Sequence, residues 1–100
     1  MKMLMIVFRD SIEDEVEEQL HALGVSAYTR MDEVAGIGST GYSQARYPGM
    51  QDNTVFLTAL SDDRAASVIE GLRRFHDDTG RTRQTHIPLH VFIVPCEQAI

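Results

Sequence analysis

The sequence predicts a single α+β domain in which strands and helices follow one another as β-α-β-β-α-β. Three observations support this fold class. Three short apolar runs and one alternating segment have the length of strands. Two longer segments repeat their apolar residues at helical spacing. The chain has 100 residues, 43% of them hydrophobic, so residues 1–100 form one domain of ordinary size.

The first half predicts a strand, a helix and a second strand. Residues 3–8 (MLMIVF) are too short for a helix and are apolar throughout, which is typical of a central strand. Asp10 and Ser11 can cap the following helix, with Glu13 in the capping-box position. The apolar residues of that helix are Ile12, Val16, Leu20 and Leu23. Gly24 is predicted to end it, and residues 25–34 alternate as a second strand should.

The second half repeats this pattern after a long polar segment. Residues 36–53 are rich in glycine, serine and tyrosine and exceed the usual limit of about 12–15 residues for a structureless loop, which indicates a functional loop. Residues 54–60 predict a third strand, and Ser61 is a candidate cap for a second helix that ends near Asp77. Residues 77–88 are predicted to be a second polar loop, and residues 89–95 the last strand.

Two βαβ units with right-handed crossovers give a four-stranded antiparallel sheet with both helices on one face, the ferredoxin-like sandwich. The opposite face of the sheet is then bare. Because no part of so short a chain remains to cover that face, we expect it to pack against other copies.

Charge and composition exclude several function classes. The formal net charge of -6 opposes binding to nucleic acid, and no apolar stretch approaches the roughly 20 residues that a membrane helix needs. No secretory signal is apparent, and the lone Cys96 forms no internal disulfide, so a cytoplasmic location is expected. Nothing marks a serine or Cys96 as a nucleophile, and the chain is expected not to be an enzyme.

Two polar loops are the candidate sites. Gly36 and Gly38 begin the first, and Thr79-Gly80-Arg81 with Arg83 make the second rich in hydrogen-bond donors and locally basic. Neither matches a phosphate-loop or dinucleotide fingerprint. If the two loops meet across a subunit boundary, they form a pocket for an anion or a nucleotide.

Several segments together resemble the PII signal-transduction family over nearly the whole chain. These are residues 33–38 (EVAGIG), residues 61–63 (SDD) before the second helix, residues 79–81 (TGR), and residues 91–97 (VFIVPCE), which are similar to the family's closing motif. The resemblance implies a homotrimer that binds a small-molecule effector and signals to a partner, a transporter or an enzyme. Residues 36–53 correspond to the family's T-loop and residues 77–88 to its B-loop. Because the family's GDGK is replaced by residues 83–86 (RQTH), we describe the chain as PII-like.

The resemblance also assigns residues. Its nucleotide cleft corresponds to Thr29, Gly36, Gly38, Thr79, Gly80 and Arg81. Arg83 is a further candidate ligand-binding residue because of its place in the second polar loop. The partner-binding loop carries Tyr42, Arg46, Tyr47 and Met50. No cofactor is required, and the expected effector is ADP, AMP, ATP or another anion.

The alternative is a metal-binding trimer like the CutA proteins, which share this fold, with His76, His86 or His90 meeting across subunits. On a strand, residues four apart are about 13 Å apart, too far to bind one ion within a chain. A hydrolase of the acylphosphatase type is disfavoured, because acidic residues surround Arg9 after the first strand.

Overall fold

The computed structural model describes residues 1–34 and 53–100 and confirms the predicted order of elements. Its elements are β1 (Lys2–Arg9), a 3-10 turn (Asp10–Ile12), α1 (Glu13–Ala22), β2 (Thr29–Val34), β3 (Asn53–Leu60), α2 (Asp62–Arg83) and β4 (Leu89–Pro95). No helix in these two ranges is long and apolar enough to cross a membrane.

The four strands form one antiparallel sheet in the order β2-β3-β1-β4, as the ferredoxin-like fold requires. The first strand is central, as its apolar run predicts. In its register, Leu4 lies opposite Thr58 on one side and Ile93 on the other.

The core lies between this sheet and the two helices. Leu4, Ile6 and Phe8 alternate along β1 and are buried. They belong to one cluster with Val16 and Leu20 of α1 and Ala65, Val68 and Leu72 of α2. Both helices therefore pack on the same face, as predicted. Within the core, Phe56 of β3 meets Phe8 edge to face, with ring centroids 4.9 Å apart.

Within the two described ranges, no helix lies against the opposite face of the sheet. Its residues alternate with the buried ones along each strand. We call it the open face; it carries Met3, Met5, Val7, Met31, Leu57, Phe92 and Val94. Phe92 is 54% exposed and Val94 43%. This agrees with the predicted bare face.

The end of α1 is the helix terminus that the sequence predicts best. Gly24 has φ 83°, a left-handed conformation that glycine adopts without strain. The amide of Gly24 donates to His21 O at 3.0 Å, and that of Val25 donates to Leu20 O at 2.8 Å. These are the two hydrogen bonds of a Schellman motif. The guanidinium of Arg64 then donates to the carbonyls of Leu23 and Gly24.

Two other boundaries differ from the prediction. Among the residues that the structure describes, no side chain caps the 3-10 turn or α1, because the Asp10 carboxylate instead accepts a hydrogen bond from the Thr54 hydroxyl at 2.6 Å. The second strand begins at Thr29 rather than at residue 25, since its pairing with β3 starts at Thr29 opposite Leu57.

The prediction that α2 ends near Asp77 and that residues 77–88 form a loop is wrong for residues 77–83. The helix continues to Arg83 and ends where Gln84 adopts φ 54°. The last turns of α2 are polar and lack the apolar periodicity that would predict a helix. An ion pair between Asp78 and Arg81, three residues apart, supports them. Beyond it, the Thr85 amide donates to Gly80 O at 3.2 Å. Of the predicted loop 77–88, residues 84–88 lie outside the helix.

Candidate ligand-binding site

One end of the sheet gathers the segments that the sequence marks as functional. Val34, the last residue of β2, lies opposite Asn53, the first residue of β3, and Asn53 also lies opposite Arg9. The amide of Arg9 donates to Pro88 O at 3.2 Å, just before β4 begins. The segment joining β2 to β3 and the turn after α2 are therefore attached side by side. We call this the loop end.

Two open cavities flank the turn after α2. The first, of about 460 Å³, is lined by His76, Asp77, Gly80, Arg81, Thr85, His86 and Ile87. The second, of about 380 Å³, is lined by Ile69, Leu72, Arg73, His76, His86, Leu89, His90 and Val91. They share His76 and His86, so together they form one groove between the end of α2 and the start of β4. We call it the histidine groove.

Gly80 allows this turn to approach the helix. A Cβ atom at Gly80 would lie 3.3 Å from Thr85 O and 3.6 Å from Ile87 Cγ1. Ile87 is buried in the core cluster, so the turn cannot move outward freely. The predicted binding residue Gly80 therefore has a packing role of its own.

The two predicted arginines lie apart. Arg81 lines the first cavity, and Asp78 one turn earlier in the helix binds its guanidinium. Arg83 lines neither cavity and binds Glu15 of α1. Both arginines lie in α2 rather than in a loop, and each already has a carboxylate partner.

The remaining predicted residues fall elsewhere. Thr79 is half-buried in the last turns of α2 and lines neither cavity. Thr29 is exposed at the start of β2, the edge strand opposite β4 in the sheet, away from the histidine groove. The other predicted binding and partner residues lie outside the described residues: Gly36, Gly38, Tyr42, Arg46, Tyr47 and Met50.

Three histidine rings follow one another in the groove. The centroids of His76 and His86 are 6.1 Å apart, and those of His86 and His90 are 6.2 Å apart. The separation of about 13 Å expected for residues four apart on one strand does not apply to His86 and His90, because His86 precedes β4 and the two residues do not share a strand. Within residues 1–34 and 53–100, no three His, Cys, Asp or Glu side chains are already placed to hold a metal ion.

An acidic cleft at the loop end was not predicted. It has a volume of about 360 Å³ and is lined by Asp10, Glu13, Asp14, Arg30, Asp32, Glu33 and Thr54. Arg30 lies 3.3 Å from Glu13 and 3.1 Å from Asp32. The carboxylates outnumber this one cation, so the cleft disfavours a phosphate group. Strand register brings β2 and the start of α1 together here, which a linear pattern does not reveal.

Tyr28 lies behind this cleft, between α1 and β3. Its ring stacks on Phe56 with centroids 4.5 Å apart. Burial and the neighbouring Glu17 carboxylate raise the pKa of the Tyr28 hydroxyl, since both disfavour a phenolate. The Tyr28 hydroxyl is therefore protonated near neutral pH.

With this geometry in place, comparison with known proteins decides the family. The family model described as nitrogen regulatory protein P-II matches residues 1–100. The chain belongs to the P-II family. The resemblance seen in the sequence is thereby confirmed, and PII-like is the appropriate description of the chain.

Solved PII-like structures share this fold. The CPII protein of Thiomonas intermedia K12 bound to ADP, AMP and bicarbonate has a TM-score of 0.70 and 20% identity, covering 93% of this chain and 82% of that one. CPII bound to ADP and bicarbonate gives 0.70 at 19% identity with the same coverage. Apo CPII gives 0.64 at 16% identity, covering 93% and 85%. Among curated proteins, no significant sequence match was found. At these identities the similarity shows the fold.

Proposed function

We propose that this protein is a non-catalytic PII-like regulator. It forms a homotrimer, binds an adenine nucleotide or another small anion in clefts between subunits, and signals to a partner protein through residues 36–53. The observation that carries the proposal is the loop end. There the segment between Val34 and Asn53 and the turn after α2 leave the sheet side by side, so a ligand at one can influence the other.

The cavity around Arg81 is our candidate for the nucleotide cleft. Its volume of about 460 Å³ falls in the range of small-molecule pockets. It is open, so one chain supplies one wall and a neighbouring subunit would supply the other. Arg81 can exchange Asp78 for a phosphate, since guanidinium groups bind phosphate oxygens with paired hydrogen bonds. The acidic cleft would keep the phosphates on the Arg81 side of the loop end.

Adenine nucleotides are the first ligands to test, because similar structures are of CPII bound to ADP, AMP and bicarbonate. Family membership supports a regulatory rather than a catalytic role. The partner, a transporter or an enzyme, would be contacted by Tyr42, Arg46, Tyr47 and Met50, whose aromatic, arginine and methionine side chains are enriched in interfaces.

The open face supports assembly. A monomer rarely exposes a contiguous apolar surface of this kind, and Phe92 and Val94 would be covered in a closed ring of subunits. Three copies around one axis would also create three equivalent clefts between neighbours.

Calorimetric titration tests the nucleotide claim. The protein is titrated with ATP, ADP, AMP and cyclic AMP, each with and without bicarbonate. We expect at least one to bind, and Arg81→Ala to weaken that binding about tenfold or more, as loss of a charge-assisted hydrogen bond should. Arg74→Ala is the matched control, because Arg74 is exposed on the same helix and lines neither cavity of the groove. No heat with any nucleotide up to millimolar concentration would remove the claim.

A further inference from the structure

His90 of β4 lies on the open face. In the register of β4 with β1 it is opposite Val7, and it alternates with Leu89 and Val91, which pack on the helix side. Its side chain is exposed, and its ring stacks beside that of Phe92 with centroids 6.5 Å apart and an angle of 29° between the planes. A neighbouring subunit that covers Phe92 would therefore also cover His90.

A proton on His90 would bring a charge into this apolar surface. Histidine is the side chain whose charge ordinarily changes between about pH 5 and 8. Strand register places one other ionisable side chain on the open face, that of Arg9, which is also a cation. In the described strands no carboxylate offsets these charges, because Asp32 and Glu33 of β2 line the acidic cleft instead. Burying an imidazolium there would be costly.

The groups on the turn and on α2 also supply no free anion. The cavity beside His90 is shared with three ionisable side chains, those of Arg73, His76 and His86. Arg73 already binds Glu70 at 2.7 Å, and Nδ1 of His76 lies 3.0 Å from Oδ1 of Asp77. The His86 ring lies 6.2 Å from that of His90, so a proton on each would add repulsion.

We propose that protonation of His90 dissociates the homotrimer, so that assembly depends on pH. This inference rests on the proposed trimer and on its use of the open face. The trimer buries a neutral imidazole beside Phe92, whereas the dissociated chain leaves His90 in water, where the imidazolium is solvated. Acid therefore favours the dissociated chain, and assembly weakens as the pH falls through the range in which histidine takes up a proton. The proposed clefts between subunits would be lost with it.

The mass of the protein at two pH values tests the proposal. Sedimentation is measured without nucleotide at about pH 8 and about pH 5.5, at one ionic strength and with EDTA present so that no metal bridges histidines. We expect a trimer at the higher pH and a dissociation constant at least about tenfold larger at the lower pH. For His90→Gln, which is neutral at both, the change should be less than about threefold. His90→Lys carries a permanent charge and should dissociate already at the higher pH.

His21 provides the matched control. It is exposed in the last turn of α1, away from the open face, and His21→Gln should keep the pH dependence of wild type. Circular dichroism checks that each variant is folded at both pH values.

The outcomes separate this inference from the proposed trimer. If folded wild type stays trimeric at both pH values, or if His90→Gln dissociates in acid as wild type does, the inference is overturned and the trimer stands. A trimeric His90→Lys variant at the higher pH would have the same meaning. Folded wild-type monomers at the higher pH would instead overturn the proposed trimer, and this inference with it.

Discussion

Arg83 near the end of α2 donates two hydrogen bonds to Glu15 in the first turn of α1, with Nη2 2.8 Å from Oε1 and 2.7 Å from Oε2. The pair joins the end of one helix to the start of the other. Both side chains are exposed, so the pair contributes at most about 1 kcal/mol to stability. Its main consequence is positional, because it holds Arg83 against α1 and away from the cavity that Arg81 lines.

This placement predicts different effects for the two arginines. Arg83→Ala should lower nucleotide affinity less than about threefold and change the free energy of unfolding by less than about 1 kcal/mol. Arg81→Ala should lower affinity about tenfold or more. Titration calorimetry and urea denaturation of both variants measure these quantities. Equal losses of affinity would mean that Arg83 leaves Glu15 to bind the ligand, as its place in the second polar loop suggests.

A charge on the open face should dissociate the proposed trimer. Phe92→Asp places a carboxylate within that face, and light scattering should then give the mass of a monomer, because burying an unpaired charge is costly. Ile93→Asp is the matched control. Ile93 is similarly exposed at 52% but lies in the register of Leu4, on the side of the helices. If Phe92→Asp stays trimeric while folded, the open face is not the interface.

Gly71 of α2 should be coupled to Leu23 at the end of α1. A Cβ atom at Gly71 would overlap the Leu23 side chain. Gly71→Ala gains about 1 kcal/mol of helix propensity but overpacks this contact at a cost of about 1–3 kcal/mol. We expect no gain in stability, or a loss of up to about 2 kcal/mol.

The Leu23→Ala background should reverse the sign of that change. Without the leucine side chain, Gly71→Ala should raise the free energy of unfolding by up to about 1 kcal/mol. Chemical denaturation of the four proteins completes the double-mutant cycle. Additive effects would show that Leu23 moves aside at no cost.

Tyr28 should make the fold sensitive to alkali. Its pKa is raised above the usual 10.0, so the folded protein holds this proton more tightly than the unfolded chain does. The resulting stabilisation is complete below the usual pKa and is lost as the pH rises through the raised value. Tyr28→Phe should therefore lose less stability than wild type in alkaline denaturation. The difference in phenolate absorbance between wild type and Tyr28→Phe reports the ionisation of Tyr28. Its titration midpoint should lie above the usual 10.0, and a midpoint at that value would contradict the prediction.

The sequence by itself determined the elements, because each depends on a local pattern. The last strand is confirmed at both ends as Leu89–Pro95. The predicted cap Ser61 is confirmed too, since its hydroxyl oxygen accepts a hydrogen bond from the Arg64 amide at 3.3 Å. The family also followed from the sequence, since its motifs lie in order along the chain. The end of α2 was not predictable, since its last turns are polar and are held by contacts such as that of Thr85 with Gly80.

Only the tertiary structure decided which functional side chains meet. The spacing of His86 and His90 in the sequence suggested that they lie far apart, whereas the turn before β4 brings their rings to 6.2 Å. The acidic cleft likewise brings together Asp10 and Asp32 of β2, which are far apart in the sequence. The physical reason is that periodicity reflects which face of an element is buried, while proximity between elements depends on strand register and on the core that packs the helices against the sheet.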